Sequence, residues 1–547
     1  MDLMAIKIKE FFIMNHFNMK LPSQLMSLII FLLIAVLACF YIRYNSLYGL
    51  DDSYITYRYA QNLEFGIGLV FNEGERYFGS TAMGMAILLA GLSWIVDGLS
   101  TLWLGQLPWP RGDQIPLIAH WVSAISIGAI VILAYRIVLH HIAPHWAFLV
   151  SSAFALYLFP AEYMSAAAGH ETYLFLAFLG WSGYLLIYKE YSFWAGTLLG
   201  ITTTFRPDSL LYTVILAAWL FLLWIHSGFT ESYRHRLILF LVGYGLISFL
   251  WFGFCGIYFG QIFPETLIAK RAQPLLGDFK SFTIKATSRE LMQRLRWPIV
   301  MVVALLIFSS LLIHILSRKG LRAWWDLLGN RLTAFIGCLL VFGFGQVIFY
   351  SLLNVSFWFW YVFPLCIILV LCGLLALVDL LEGFRDKVMP TLFKIKVLVL
   401  VAVVSLIFIN LNALRYDLHQ LLVERNMNLQ LTSYDPIIDY LKVHEPNGTS
   451  IATAEPGALG FKLGSRYRTV DELGLTSPGV AKNIMTGNLD YPFTAYAPAY
   501  IIVSWPGKYS PHERPWFSNA YGLVGEFTHP YWDFHLKRGA YLYKRKS

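Results

Sequence analysis

The chain has 547 residues, of which 57% are hydrophobic, 17% aromatic and only 14% charged. A soluble domain ordinarily carries about 25% charged residues, so this composition excludes a disordered chain and an ordinary cytosolic protein. The net charge of +8 fits basic flanks of membrane segments and gives little support to nucleic-acid binding. Apolar runs of about 20 residues recur along most of the chain, and the sequence therefore predicts a polytopic membrane protein.

The first apolar run lies near Leu25–Ile42 and leads directly into a charged segment, without a small-residue cleavage site. We interpret it as a retained anchor and not as a signal peptide. If Lys7, Lys9 and Lys20 lie in the cytoplasm, this first span places the segment Asn45–Pro116 on the outer side of the membrane.

A second apolar run, Thr81–Val96, is short and contains Gly84 and Gly91, so it could cross the membrane or lie in the interface. The choice decides on which side every later loop lies. If the run does not cross, Lys and Arg accumulate in the loops assigned to the cytoplasm. The short outer loops near Ala166–Gly169 and Leu353–Phe357 then contain neither. Because this distribution follows the positive-inside rule, the sequence predicts an interfacial helix here.

The remaining spans bring the expected number to about eleven, which would place the C-terminus outside. They lie near Leu117–Val138, His145–Tyr163, Thr172–Tyr188, Phe193–Thr204, Ser209–Ile225, Leu237–Phe259, Pro298–Leu316, Leu332–Leu352, Trp358–Leu380 and Val397–Leu414. The span Phe193–Thr204 is too short to cross alone, and Arg206-Pro207-Asp208 interrupts the apolar run after it. Ionised groups at that depth persist only where they line a protein cavity.

Beyond Leu414 the composition becomes mixed and polar, with Pro, Gly and short β-rich runs. We therefore divide the chain into a membrane domain, residues 1–414, and an extracytoplasmic C-terminal α/β domain, residues 415–547. The domain's predicted elements are a helix at Tyr434–Val443 and strands at Ser450–Thr453, Tyr467–Val470 and Ala499–Ser504. The expected fold is thus mostly α: a polytopic helix bundle with interfacial helices in the first outer loop, followed by this small domain.

Two adjacent carboxylates, Asp51 and Asp52, follow the first span. Carboxylates this close repel each other, and a cation, a proton or a reacting hydroxyl would relieve the repulsion. Asp is also favoured at helix N-caps, so a solvated cap is the alternative interpretation.

Three further groups of residues could carry chemistry. Glu171 precedes an apolar helix, where helix capping is an equally good explanation. Arg206 and Asp208 interrupt a membrane segment, which indicates a functional site unless the two merely pair with each other. Lys270 lies in a basic loop that could hold a lipid phosphate or attract anionic headgroups.

The aromatic run Phe357–Tyr361 is typical of an interfacial belt, with stacking on a sugar or prenyl chain as the alternative.

Together these features resemble the GT-C superfamily of integral-membrane glycosyltransferases, which use polyprenyl-phosphate sugars. They look most similar to the bacterial branch that contains the mycobacterial terminal arabinofuranosyltransferases. The strings that carry the resemblance are Asp51–Ala60, Gly68–Glu75, Gly169–Thr172, Arg206–Asp208, Tyr258–Lys270, Glu455–Gly460 and Asp471–Leu475. The similarity is strong over about Asp51–Arg271 and thin between the later helices.

The resemblance implies transfer of a sugar from a polyprenyl-phosphate donor, with inversion, to a glycan, lipid or protein acceptor of the cell envelope. It implies Asp51 as the base, with Asp52 and Glu171 orienting the acceptor or holding a divalent cation, Mg²⁺ or Mn²⁺. The residues implied for the donor phosphate are Arg58, Arg206 and Lys270. The residues implied for substrate binding are Tyr54, Asn72, Glu75, His170 and Asp208. Membrane lipids would be the other partners, and no nucleic acid is expected.

Two other classes of protein share these features. A transporter or lipid flippase would also be polytopic with buried charges, but transporters commonly contain internal repeats with paired broken helices. The sequence shows one broken helix and no repeat. A non-catalytic envelope assembly factor could use the same fold, since a fold does not guarantee activity. In such a factor we would expect the acidic residues to be lost, whereas here they are present.

Overall fold

The computed structural model describes residues 23–45, 51–107, 109–158, 169–277, 279–295, 303–311, 325, 327–383, 434–504, 510–528 and 540–546. Its first part is helical. The helices are α1 Ser23–Asn45, α2 Asp51–Glu64, α3 Met83–Leu104, α4 Ile115–Leu139, α5 Pro144–Leu158, α6 Thr172–Ile187, α7 Ser192–Phe205, α8 Ser209–His226, α9 Glu231–Phe259, α10 Thr266–Ala272, α11 Ile284–Leu295, α12 Arg331–Leu353 and α13 Phe363–Gly383.

Among the described residues, six helices are long and apolar enough to cross a membrane: α3, α4, α8, α9, α12 and α13. Shorter apolar stretches lie at Ile29–Ala38 within α1, in α5 and in α6. The chain is therefore a multi-pass membrane protein, as its composition predicted. The predicted span Val397–Leu414 and most of Pro298–Leu316 lie outside the described residues, as does the predicted domain boundary at residue 414.

Helix α3 is longer than the run Thr81–Val96 that the sequence suggested. It continues through Asp97 to Leu104, because the Asp97 carboxylate is buried and accepts a hydrogen bond of 2.6 Å from Gln114 Nε2. With 22 residues it is long enough to cross the membrane. Its length therefore does not exclude a span, and its interfacial position stays a prediction that rests on the distribution of Lys and Arg.

The predicted interruption after the seventh helix is confirmed. Helix α7 ends at Phe205, Arg206 is extended with φ −151° and ψ 118°, and α8 begins at Ser209. Pro207 explains the extended conformation, since a residue before proline disfavours the α region. Helix α7 lies directly against α9: a Cβ on Gly196 would come within 2.0 Å of the Phe240 oxygen. Small residues at such contacts let membrane helices approach closely.

The C-terminal part is a small α/β unit with a five-stranded sheet in the order β2-β1-β3-β5-β4. The first three strands are parallel, and β5 is antiparallel to both β3 and β4. Its elements are α14 Asp435–His444, β1 Ser450–Thr453, α15 Pro456–Leu463, β2 Arg468–Asp471, α16 Val480–Met485, α17 Tyr491–Thr494, β3 Tyr500–Val503, α18 Phe517–Ala520, β4 Tyr521–Phe527 and β5 Ala540–Arg545.

The sequence located the parallel half of this sheet to within a residue, because its strands are short, mostly buried runs that each contain β-branched residues. It did not identify β4 and β5. Strand β4 is a half-exposed edge strand with a bulge between Leu523 and Gly525, so it lacks the alternation that marks a strand in sequence.

The carboxyl ends of the parallel strands face the membrane domain. Residues that follow β1 lie against α2, and Phe461 of α15 packs edge-on against Tyr54 at 5.6 Å. The loop after β2 touches the segment that follows α2, since a Cβ on Gly79 would lie 2.5 Å from the Leu475 oxygen. The two parts of the protein thus share one apolar core at this edge.

Candidate functional site

Six charged or titratable residues from four separate parts of the chain meet beside the N-terminus of α2. We call this group the ionic cluster; it consists of Asp52, His170, Glu171, Arg206, Asp208 and Lys270. The loop before α6, the break between α7 and α8, and helix α10 each contribute residues. The sequence predicted a role for every member, and the fold brings all of them together.

Arg206 and Asp208 form the deepest pair in the ionic cluster. Nε and Nη2 of Arg206 donate to the two Asp208 oxygens at 3.2 and 3.1 Å. The Tyr350 hydroxyl accepts from Arg206 at 3.0 Å and donates to Asp208 at 2.9 Å, and Gln346 also donates to Asp208. Nη1 of Arg206 lies 3.7 Å from Glu171 and has no hydrogen bond among the described residues. It is therefore the guanidinium nitrogen that a ligand could use.

His170 and Glu171 lie side by side next to this pair. Nδ1 of His170 is 3.1 Å from a Glu171 oxygen and 2.9 Å from the Thr172 hydroxyl. Burial lowers the pKa of His170, while the Glu171 charge opposes that effect. The imidazole is therefore neutral near pH 7. Because Nδ1 faces a carboxylate, the proton sits on Nδ1, and Nε2 is left as a hydrogen-bond acceptor.

Lys270 is held between a carboxylate and two indole rings. Its Nζ donates to Asp52 Oδ2 at 3.2 Å and lies 5.1 Å from the centre of Trp358 and 6.0 Å from that of Trp360. The aromatic run 357–361 was predicted as an interfacial belt, but two of its tryptophans instead contact a buried ammonium. Asp52 has the most exposed carboxylate of the cluster, with 26% of its side chain accessible.

Asp51 points away from its neighbour Asp52, toward the C-terminal domain. Its carboxyl oxygens accept from the backbone N–H groups of Gly457 and Ala458, at 3.0 and 2.7 Å, at the N-terminus of α15. A Cβ on Gly457 would lie 1.9 Å from the Asp51 backbone oxygen, so only glycine fits there. Burial, and next the negative charge of Glu455, raise the pKa of Asp51 to about 8 despite these two donors.

The other predicted residues of this segment also lie at the interdomain interface, which we define as the contact of residues 51–79 with residues 455–476. The side-chain amide of Asn72 donates to the Thr469 backbone oxygen at 2.9 Å and accepts from the Thr469 backbone N–H at 3.0 Å. Glu75 pairs with Arg468. Arg58 is buried and donates to the Phe71 oxygen at 3.2 Å and to Gln61 at 3.0 Å. The structure therefore does not bring Tyr54, Arg58, Asn72 or Glu75 into the ionic cluster.

Several residues around the cluster escaped the sequence reading. Tyr350 and Gln346 of α12 bind the Arg206–Asp208 pair, and Gln273 accepts a hydrogen bond from Trp358, the ring beside Lys270. The sequence did contain a signal for Tyr350 and Gln346. They are polar, four residues apart in an otherwise apolar span, and so lie on one helix face.

The divalent cation expected between Asp52 and Glu171 fits this arrangement poorly. Each carboxylate already faces a cationic side chain, Lys270 at 3.2 Å and Arg206 at 3.7 Å. Within the described ranges, no group of three His, Cys, Asp or Glu side chains could hold a metal ion. The cation stays a prediction, and no chemical step below depends on it.

Comparison with known proteins gives two findings. Residues 423–543, which include the C-terminal sheet, match a family described as a domain of unknown function (DUF8728). Among solved structures, the chain is similar to the crystal structure of the Archaeoglobus fulgidus oligosaccharyltransferase in the apo form. That similarity has a TM-score of 0.50 and 11% sequence identity, over 86% of this chain and 69% of the other. No curated protein matches the chain.

At this identity the likeness concerns the fold alone. In this chain a polytopic helix bundle is followed by a small C-terminal sheet domain. The chain thus has a GT-C-like fold, in which the ionic cluster lies beside the N-terminus of α2.

Proposed function

We propose that the protein is a membrane glycosyltransferase that moves a sugar from a polyprenyl-phosphate donor to an acceptor of the cell envelope. The observation that carries the proposal is the ionic cluster, in which carboxylates and buried cations meet on a GT-C-like fold. The orientation belongs to the proposal: the N-terminus lies in the cytoplasm, and the cluster and C-terminal domain lie outside. The resemblance suggests arabinofuranose as the sugar, and this identity belongs to the same proposal.

Transfer is a displacement at the anomeric carbon. The acceptor hydroxyl forms the new C–O bond, the bond to the lipid phosphate breaks, and a direct displacement inverts the configuration. The departing phosphate gains negative charge, which Lys270 and Nη1 of Arg206 are placed to stabilise. Their side chains are already held by Asp52 and Asp208, so they need no reorganisation during the reaction.

We assign the role of general base, which takes the proton of the acceptor hydroxyl, to Asp52. The resemblance had implied Asp51. A base must be ionised at the working pH and within reach of the hydroxyl. Burial keeps the pKa of Asp51 near 8, and its oxygens face the backbone of α15. Asp52 has an exposed carboxylate beside Lys270. His170 Nε2 and Glu171 would orient the sugar and acceptor hydroxyls.

The test uses the purified full chain in lipid nanodiscs, with a panel of polyprenyl-phosphate sugars and labelled envelope glycans as acceptors. We expect transfer with inversion from one donor, and a loss of donor use of about 10²-fold in Lys270→Met. Lys280→Met removes an exposed lysine from the same segment and should behave as wild type. Movement of intact lipid-linked sugar across vesicles, without transfer, would instead identify a flippase.

A further inference from the structure

A second polar group lies away from the ionic cluster, where three helices of the outer segment meet. It consists of Glu64 at the end of α2, Ser93 and Asp97 in α3, and Gln114, the residue before α4. All four side chains are more than nine-tenths buried. Nothing in the proposed transfer reaction uses them.

Hydrogen bonds fix the geometry of this group. The Ser93 hydroxyl donates to Glu64 Oε2 at 2.8 Å, and Gln114 Nε2 donates to Ser93 Oγ and to Asp97 Oδ1, each at 2.6 Å. Because Asp97 Oδ1 only accepts, the orientation of the Gln114 amide is determined. Its oxygen Oε1 is bonded to the same carbon as Nε2 and is buried.

Three oxygens of the group remain without a donor in the described part of the chain: Glu64 Oε1, Asp97 Oδ2 and Gln114 Oε1. Native proteins rarely leave buried polar atoms unpaired, so each such atom calls for an explanation. The Gln114 oxygen is independent of the acidic pair, and its residue is only 4% exposed.

The charges are also unbalanced. Two carboxyl groups face one cation, Arg111, whose Nε lies 3.5 Å from Glu64 Oε1 and whose side chain is half exposed. Glu64 accepts a hydrogen bond from Ser93 and Asp97 accepts one from Gln114, and Gln114 also donates to Ser93, so the two acids belong to one hydrogen-bonded group. Two carboxylates this close cannot both stay ionised in a buried site unless a proton or a cation lies with them.

We propose that Glu64 Oε1, Asp97 Oδ2 and Gln114 Oε1 form a site for Ca²⁺, completed by water. Carboxylate and amide oxygens are the ligands that this cation prefers, and its flexible coordination suits an irregular set of three. One divalent cation would offset the negative charge of the two carboxylates and pair all three oxygens. It would thereby join the ends of α2, α3 and α4, which support the segment that carries Asp52.

The test measures ⁴⁵Ca²⁺ binding and thermal unfolding of the full chain in nanodiscs, after treatment with EDTA. We expect wild type to bind Ca²⁺ and to unfold several degrees higher when CaCl₂ is restored. Asp97→Asn and Gln114→Met should each lose this stabilisation. Asp113→Asn removes a neighbouring exposed carboxylate and should keep it.

Absence of Ca²⁺ binding by wild type would overturn the proposal, and so would an equal Ca²⁺-dependent rise in Asp97→Asn. A shared proton occupies the site if Asp97→Asn raises the unfolding temperature in EDTA and Ca²⁺ leaves the unfolding temperature of wild type unchanged. Neither readout requires glycosyl transfer, so a failure here is independent of the proposed function.

Discussion

The ionic cluster and the interdomain interface take their polar residues from the same short stretch, yet they use them differently. In the cluster, each carboxylate faces a cation, and accessible atoms remain on Asp52 and on Arg206 Nη1. At the interface, the side-chain oxygens of Asp51 and Asn72 accept hydrogen bonds from backbone N–H groups of the C-terminal domain. The first arrangement can accept a ligand, whereas the second joins two parts of the protein.

The adjacent residues Asp51 and Asp52 show how the division arises. Successive residues of an α-helix point about 100° apart, so the first turn of α2 directs one carboxyl to α15 and the other to Lys270. A pair that looks like a single acidic motif in sequence thus has two partners in the fold. The contrast between the two regions can be tested by changing one region at a time.

The largest expected effect concerns Arg206, whose buried charge holds the cluster together. Arg206→Ala leaves Asp208 buried without its partner, and breaking such a pair typically costs about 3–5 kcal/mol of unfolding free energy. Arg206→Lys keeps the charge but loses the two parallel hydrogen bonds, so it should fold better and still use the donor poorly. Thermal unfolding and donor binding, measured side by side, separate the two effects.

The control is the double variant Arg206→Ala with Asp208→Ala, which removes both charges of the pair, so that only the longer contact of Glu171 with Arg206, 3.7 Å, is lost without compensation. It should recover stability without recovering transfer. If it recovers transfer as well, Arg206 and Asp208 form only a structural ion pair, and the assignment of Arg206 to the donor phosphate is wrong.

A smaller effect is expected at the interface. Gly457→Ala adds a methyl group against the Asp51 backbone and should cost about 1–3 kcal/mol, as overpacking generally does. Hydrogen–deuterium exchange of residues 456–463 should accelerate while donor binding stays unchanged. Ala458→Gly, next to it, keeps the backbone donor and serves as the control. Loss of donor binding in Gly457→Ala would show that the two regions are not separable.

A further expected effect is a pH dependence of the stability of the interface. Asp51 has an unfolded pKa of about 3.9 and a folded pKa of about 8, so the folded state retains a proton that the unfolded state has lost. The stability that this proton provides is therefore lost as the pH rises from about 4 toward 8. Asp51→Asn should flatten this slope in thermal unfolding. An unchanged slope would mean that Asp51 titrates normally.

The sequence predicted the elements that have strong local signals. Long apolar runs gave the membrane helices, Pro207 gave the break after α7, and short buried runs with β-branched residues gave the parallel half of the sheet. It also selected every member of the ionic cluster. It could not show that Asn72 and Glu75 contact the C-terminal domain, because those contacts link residues far apart in the chain. For the same reason it missed Tyr350 and Gln346, which bind the Arg206–Asp208 pair.

The most direct test compares Asp51→Asn with Asp52→Asn, each assayed for sugar transfer and for exchange protection of α15. We predict that Asp52→Asn lowers transfer by about 10²–10⁴-fold, as loss of a general base does, and leaves α15 protected. Asp51→Asn should keep most of the transfer while α15 loses protection. Inactive Asp51→Asn with α15 still protected, together with active Asp52→Asn, would contradict the account.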